Sequence, residues 1–467
     1  MKTTTYKLIF FFLVCCLIIE FFLLKDFPFF WDGISKSIRA DWIYNQNFSQ
    51  LIVPTEINSG HPPLWIVLIA SFWSVLGKTL ASARILLLFV NIAVVYQLIV
   101  LCKTTFLKNV SLFFIVLLFI EPTFIAQTTN LNNDMLLLFF SLLSLNGLLK
   151  QKNLLLCIGL AGVLFTNLRG VYIFVSIGLI DFMFYKQKYT EQLNKFRIYS
   201  YLIPILLFAL FSFFQYKTLG WFLITENEGF ANHRQTTSVT GIVKNSLAFL
   251  KSFLDYGRIV VLAICLPLLF KYFKSGIKNK TIDKILIITL VFTAVFFIGI
   301  VPFSNPIGDR YFLVCYLLIF ILTINLIHYL KPKAVKLVTA AILIAFASGH
   351  FWIYPSTLSQ SWDSSLAYLN YYKVERKMES YLENRTIAHR SVGTRLDLNS
   401  RHYSRLIELE GNELYAPFNL MDNTYVLLSN IDNETKDEAL TTVKTNWEHI
   451  KSFSNLGVYI SLYKKRN

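Results

Sequence analysis

The chain has 467 residues, of which 55% are hydrophobic and 15% charged, with a mean hydropathy of +0.52. Soluble domains carry about 25% charged residues, so this composition excludes a chain that hides its apolar surface in one soluble core. Its 44 Lys and Arg against 28 Asp and Glu leave a formal charge of +16, but the region from Tyr354 onward holds 14 of each sign. The surplus therefore lies among the apolar runs, where it suits anionic lipid headgroups and not a nucleic acid.

Apolar runs near 7–25, 84–102, 109–121, 135–149, 153–168, 171–185, 198–216, 257–273, 284–301, 311–328 and 336–353 predict eleven membrane helices. About 20 helical residues span a bilayer. The runs are continuous and lack the alternation of a membrane barrel, so helices are expected. The first run, Leu8 to Leu24, is too long for the apolar part of a secretory signal. It is followed by Lys25, Asp26 and Phe27 in place of a small-residue cleavage site, so it is expected to be a retained helix.

Compact basic clusters occupy alternate loops: Lys103 and Lys108; Lys150 and Lys152; Lys186, Lys188, Lys195 and Arg197; Lys271 to Lys284; Lys331 to Lys336. Basic loops stay inside, which predicts a cytoplasmic N-terminus and, with eleven spans, an extracytoplasmic C-terminus. A bacterial inner membrane is the expected setting. The six cysteines all fall in apolar runs, which argues for packing residues and not a disulfide or zinc framework.

Three outer regions are large: 26–83, 217–256 and 354–467. In the first, Ile34, Ile38, Trp42 and Ile43 alternate with Lys36, Arg39 and Asp41 over Gly33–Phe48, the pattern of an amphipathic helix lying on the membrane surface. Pro62-Pro63 opens a second run, Leu64 to Leu76, closed by Gly77, as helix ends prefer. The tail reads as a small α/β domain. It has helix formers over Ser361–Glu383, a strand at Tyr425–Ser429, a helix over Asp437–Ile450 and a strand at Val458–Tyr463. The expected organisation is a helical membrane domain, 1–353, followed by an extracytoplasmic domain, 354–467.

Polar residues at span ends carry the candidate chemistry. Asp32, flanked by aromatics, is either an interfacial acid or a general base whose pKa partial desolvation raises. Asp134 opens the fourth span and is a helix cap, a cavity residue or both. Arg169, in Thr166-Asn-Leu-Arg-Gly170, and Arg310, in Pro306-Ile-Gly-Asp-Arg-Tyr311, put positive charge on the side where topology disfavours it. Each either holds an anion such as phosphate in a bidentate fork or serves an ion pair, for which Asp309 is at hand beside Arg310. His61 either binds a phosphate or a substrate hydroxyl, or caps the helix after it; no second His stands at metal-site spacing. His233-Arg234 reads as a solvated turn.

The series Phe30-Trp-Asp-Gly, Gly60-His-Pro-Pro-Leu-Trp, Gly77, Ala83-Arg-Ile, Glu121-Pro through Asn133-Asp134, Leu168-Arg-Gly and Asp309-Arg-Tyr resembles the membrane glycosyltransferases of the GT-C superfamily. The nearest branch is the protein O-mannosyltransferase and aminoarabinose transferase type, matched over roughly residues 1–330. The resemblance implies a helical bundle that moves a sugar, with inversion, from a polyprenyl-phosphate-linked donor to a lipid, glycan or protein acceptor outside the cytoplasm. By the same resemblance Asp32 is the base and Asp134 orients acceptor or sugar. Arg169, Arg310 and Tyr311 hold the donor phosphate, and His61 contacts substrate. His61 stands where the aminoarabinose branch has a lysine. Gly33 stands where family members often have an acid, which removes one ligand for a divalent metal and leaves metal dependence open. A transporter or flippase of lipid-linked sugars, a polymerase of such sugars, and a non-catalytic assembly factor are the rival readings; transporters favour midplane sites and internal repeats, which this chain does not display.

Overall fold

The computed structural model describes residues 2–108, 110–189, 195–355, 358–396, 398 and 414–466. Residue 109, the first of the third expected span, lies outside them. The chain is mainly α-helical, with one small sheet near its C-terminus.

The helices run in order α1 (Lys2–Leu24), α2 (Asp32–Asn45), α3 (Leu64–Leu76), α4 (Leu80–Thr105), α5 (Phe113–Phe119), α6 (Pro122–Thr129), α7 (Asp134–Leu149), α8 (Asn153–Thr166), α9 (Gly170–Lys186) and α10 (Lys195–Leu219). They continue through α11 (Glu228–Ala231), α12 (Val239–Leu254), α13 (Arg258–Lys274), α14 (Lys280–Ile300), α15 (Leu313–Ile327) and α16 (Pro332–Gly349) to α17 (Tyr371–Asn384) and α18 (Asp437–Asn446).

Among the described residues, six helices are long and apolar enough to cross a membrane, or eight if each bent pair is one span. The protein is an integral membrane protein. Length alone does not reach the eleven expected spans, because several central helices are short. The run expected at 109–121 forms only the seven-residue α5. The helix pair α6 and α7 bends by 119°, and α12 and α13 by 90°. A short helix is tolerated inside the bundle because its neighbours, and not lipid, surround it.

Burial sorts centre from rim. Helices α7 and α15 are apolar on all sides and buried almost throughout, as helices inside a large bundle are. At the rim, α1 and α10 expose Phe11, Phe22, Leu206 and Phe214, the apolar faces that lipid covers. Arg197, expected as a loop charge, is buried on α10 and donates two hydrogen bonds to Asp181 at 2.7 and 2.8 Å.

Helix α2 begins one residue before the expected start, and α3 matches its expected run. Their faces differ from the expectation. Lys36 and Arg39 are 5% and 3% exposed, so α2 turns these charges into the protein and not toward water.

In the tail, β1 (Val392–Thr394), β2 (Ala416–Pro417), β3 (Tyr425–Ser429), β4 (Glu448–Asn455) and β5 (Val458–Lys464) form a sheet in the order β2-β1-β3-β5-β4. The strand β1 pairs in parallel with β2 and β3, and β5 pairs antiparallel with β3 and β4. The helix expected to run to Ile450 stops at Asn446, because Glu448 onward pairs with β5 as a hairpin. The helix expected from Ser361 begins as 3₁₀ turns and becomes α-helical only at Tyr371. One apolar core continues from Leu13 and the membrane helices through Trp362, Tyr368 and Tyr372 to Leu462. The helix α18 covers a second, smaller cluster of Val426, Leu428, Val443 and Trp447.

Candidate active site

A cavity of about 420 Å³ opens at one end of the bundle. Its lining includes Asp32 and Lys36 from α2, His61 from the following loop, Arg169 from the α8–α9 turn, His233 and Arg234 from the segment after α11, and Arg310 and Tyr311 from the turn before α15. Ile224, Phe230, Ile300 and Phe303 add apolar wall.

Local sequence explains how each side chain is presented. Trp31 precedes α2 with φ 41°, a left-handed conformation that is costly for a bulky residue and that clusters at functional sites. Its ring stacks on Phe30 at 4.8 Å. The sharp entry places Asp32 in the first turn of α2, where an acid is favoured by the helix dipole.

Asp134 opens α7 but does not cap it: Asn133 is the cap residue, without a side-chain bond to the helix. The Asp134 carboxylate instead accepts from Arg169 Nη2 at 2.8 Å and lies 3.6 Å from Arg310 Nε. Arg169 is set by an Asx turn in which its N–H donates to Asn167 Oδ1 at 2.9 Å. The residue after it must be glycine, because a Cβ on Gly170 would sit 1.9 Å from the Val163 carbonyl oxygen. The Arg169 guanidinium lies 4.0 Å from the centre of the Tyr311 ring.

Arg310 is the hub. Its Nη2 donates to Asp32 Oδ2 at 2.5 Å, and its Nη1 donates to Asp363 Oδ2. Adjacent Asp309 is not its partner. Asp309 lies 3.6 Å from Arg258, which also donates to Glu121 Oε1 at 2.9 Å and Thr123 Oγ1 at 2.8 Å. Glu121 in turn caps α6 by accepting from Phe124 N–H at 2.7 Å. This buried network ties the α6 start, the α13 start and the Asp309–Arg310 turn together.

Asp363, Lys36, Arg39 and Arg234 are further residues at the site, not expected there from sequence. Asp363 comes from the 3₁₀ turn after α16, which Gln127 Nε2 anchors by donating to the Asp363 carbonyl at 2.6 Å. No local signal marked it, since only the fold brings it to Arg310. Lys36 lies 3.9 Å from Asp32 Oδ2; its spacing of four residues from Asp32 was a signal that could have been used. Arg39 donates to Ser35 and Ser59. Arg234 is not a solvated turn residue: its guanidinium donates to the Leu223 and Ser59 carbonyls at 2.6 and 2.5 Å. It rests on Gly60, whose φ of 73° and lack of a Cβ make room for it.

Electrostatics corrects one expectation. Burial pushes the Asp32 carboxyl upward, as the sequence suggested. Lys36, Arg310 and Arg39 outweigh burial and hold it well below the usual carboxylate range. Burial pulls Lys36 down to about 8 and Arg39 down to about 10. His61, half-buried and surrounded by cations, is held well below its ordinary value by desolvation and by those charges, hence neutral at pH 7. Its Nδ1 has no hydrogen-bond partner, nor does Arg169 Nη1. His61 does not cap α3, which has no side-chain cap.

A divalent metal does not fit the described side chains. Among them, no group of three or more His, Cys, Asp or Glu could hold one. The carboxylates of Asp32, Asp134 and Asp363 are committed to arginine. A Cβ at Gly33 would meet Leu131 and Phe29 at 3.5 Å, an apolar wall.

The architecture is a polytopic helical bundle with a small C-terminal sheet. Two crystal structures share it, both of ArnT from Cupriavidus metallidurans. The one bound to undecaprenyl phosphate superposes with a TM-score of 0.53 over 98% of this chain and 98% of that chain. The apo one gives 0.54 over 99% and 98%. Identity is 10% in both, so the likeness is one of fold. No protein family matches the chain by sequence, and no curated protein does.

Proposed function

We propose that the protein is an inverting glycosyltransferase that moves a sugar from a polyprenyl-phosphate donor to an acceptor hydroxyl on the extracytoplasmic side of the membrane. The observation that carries this reading is the convergence of Arg169, Arg310 and Tyr311 with Asp32 and Asp134 on one cavity end with apolar walls. A lipid-linked sugar phosphate needs cations for its headgroup and an apolar groove for its chain. The ArnT structure with undecaprenyl phosphate bound supports the same substrate class by fold likeness.

In this reading Arg169, with its unpartnered Nη1, and Arg310 receive the donor phosphate, and Tyr311 backs the Arg169 guanidinium. Asp134 holds both arginines in place. His61, neutral, offers Nδ1 to a sugar or acceptor hydroxyl. Arg310 and Lys36 converge on Asp32 Oδ2, which leaves Oδ1 to take the acceptor proton. The acceptor oxygen attacks the anomeric carbon as the bond to the phosphate oxygen breaks. The proton passes to Asp32, and the charge on the departing phosphate is met by the arginines. Before donor binds, Asp32 is too strongly paired to be a good base. A phosphate that draws Arg310 and Lys36 toward itself loosens that pairing and raises the basicity of Asp32 when the acceptor is present.

The test compares wild type with Asp32→Asn using polyprenyl-phosphate sugars, following donor binding and sugar transfer separately. Retained binding with transfer lost is the expected result. Unchanged transfer refutes the catalytic assignment, and a wild type that binds donor but only moves it across the membrane supports a flippase instead.

A further inference from the structure

We infer that the sugar transferred at this site carries no cationic amino group, and is neutral or acidic; this rests on the donor class proposed above. The charges of the cavity and its immediate partners carry this inference. Among the described residues these are Lys36, Arg39, Arg169, Arg234 and Arg310 against Asp32, Asp134 and Asp363. Five cations face three carboxylates, so the single negative charge of a sugar phosphodiester still leaves the site positive.

Pairing sharpens the point, because an ammonium group needs a carboxylate that is not already answered. Asp134 gives Oδ1 to Arg169 and faces Arg310 with Oδ2. Asp32 Oδ2 meets Arg310 and Lys36, and its Oδ1 is the oxygen taken by the acceptor hydroxyl in the reading above. Asp363 Oδ2 meets Arg310 and lies 3.5 Å from Asn132 Nδ2. On the other side, Arg39 and Arg234 are hydrogen-bonded only to hydroxyl and carbonyl oxygens. Among the described residues neither donates a hydrogen bond to a carboxylate, and Arg39 adds its charge to those already acting on Asp32. His61, neutral and unpartnered at Nδ1, offers hydrogen bonding without charge, which suits a hydroxyl. An unshielded like charge within several ångströms of two or three cations is an effective means of rejecting a ligand.

The experiment measures binding of three polyprenyl-phosphate esters and of polyprenyl phosphate alone to the purified full-length protein at pH 7. The esters carry glucose, glucosamine and N-acetylglucosamine. The expected result is that the glucosamine ester binds at least tenfold more weakly than the glucose ester, while N-acetylation, which removes the charge and keeps the nitrogen, recovers most of the loss. Equal or tighter binding of the glucosamine ester overturns the inference and leaves the donor class standing. An N-acetyl ester rejected as strongly as the amine overturns it too, since shape and not charge would then discriminate. Failure of polyprenyl phosphate and all its esters to bind overturns the donor class itself, and with it the inference.

Discussion

Replacing Lys36 by Met tests whether this site keeps a buried charge at the expense of stability. Lys36 is 5% exposed, and burial holds it at about 8 against an ordinary 10.5. At 1.36 kcal/mol per pKa unit, keeping it protonated in the folded state costs roughly 3 kcal/mol. The sign follows from proton binding. Below about pH 8 the lysine is charged in both states and the cost is fully present. Between about 8 and 10.5 the unfolded chain binds more protons than the folded one, so wild-type stability rises with pH. Lys36→Met never carries this cost, and Arg310 remains as the partner of Asp32. The variant is therefore expected to melt above wild type at pH 7, with the gap closing by about pH 10–11, while its affinity for polyprenyl phosphate falls. Thermal scans of both proteins in detergent at the two pH values, with a binding measurement at pH 7, read all three effects. A variant that melts at or below wild type at pH 7, or a gap that does not change with pH, would refute the reasoning. Such an exchange of stability for function is common at binding sites.

Arg258→Met leaves Glu121 and Asp309 buried without their cation and is expected to cost about 3–5 kcal/mol. Adding Glu121→Gln should return part of that loss, and a double variant no more stable than the single one would contradict the pairing. Gly170→Ala forces a Cβ against the Val163 carbonyl, so it should destabilise by about 1–3 kcal/mol and weaken phosphate binding by moving Arg169. Wild-type melting and affinity in that variant would show that the α8–α9 turn yields freely.

Several features were legible in sequence because their causes are local. The Pro62-Pro63 start and Gly77 stop delimit α3, and the apolar run Tyr425–Ser429 is a strand as read. Asp32, Arg169 and Arg310 stand out in sequence as charges at the ends of apolar runs, where a bilayer tolerates charge only with a reason; His61 stands out before Pro62-Pro63, and Tyr311 only through the family resemblance. All of them line one cavity, with Asp134 paired behind it. Glu448–Ile450 continues a helical pattern in sequence, but its backbone groups find partners in β5. Strand pairing across a hairpin outweighed a weak local preference there.

By itself the sequence determined the class of the protein: apolar length and continuity demand membrane helices, since no soluble core could absorb them. It also determined where charge would be tolerated. Only the tertiary structure decided which charges meet. Asp363 reaches Arg310 across 53 residues, and Arg310 reaches Asp32 across 278. The inward turn of Lys36 and Arg39 likewise depends on what α2 packs against. An amphipathic pattern specifies that a helix has two faces. It does not specify which face meets the protein when a cavity, and not water, lies on the polar side.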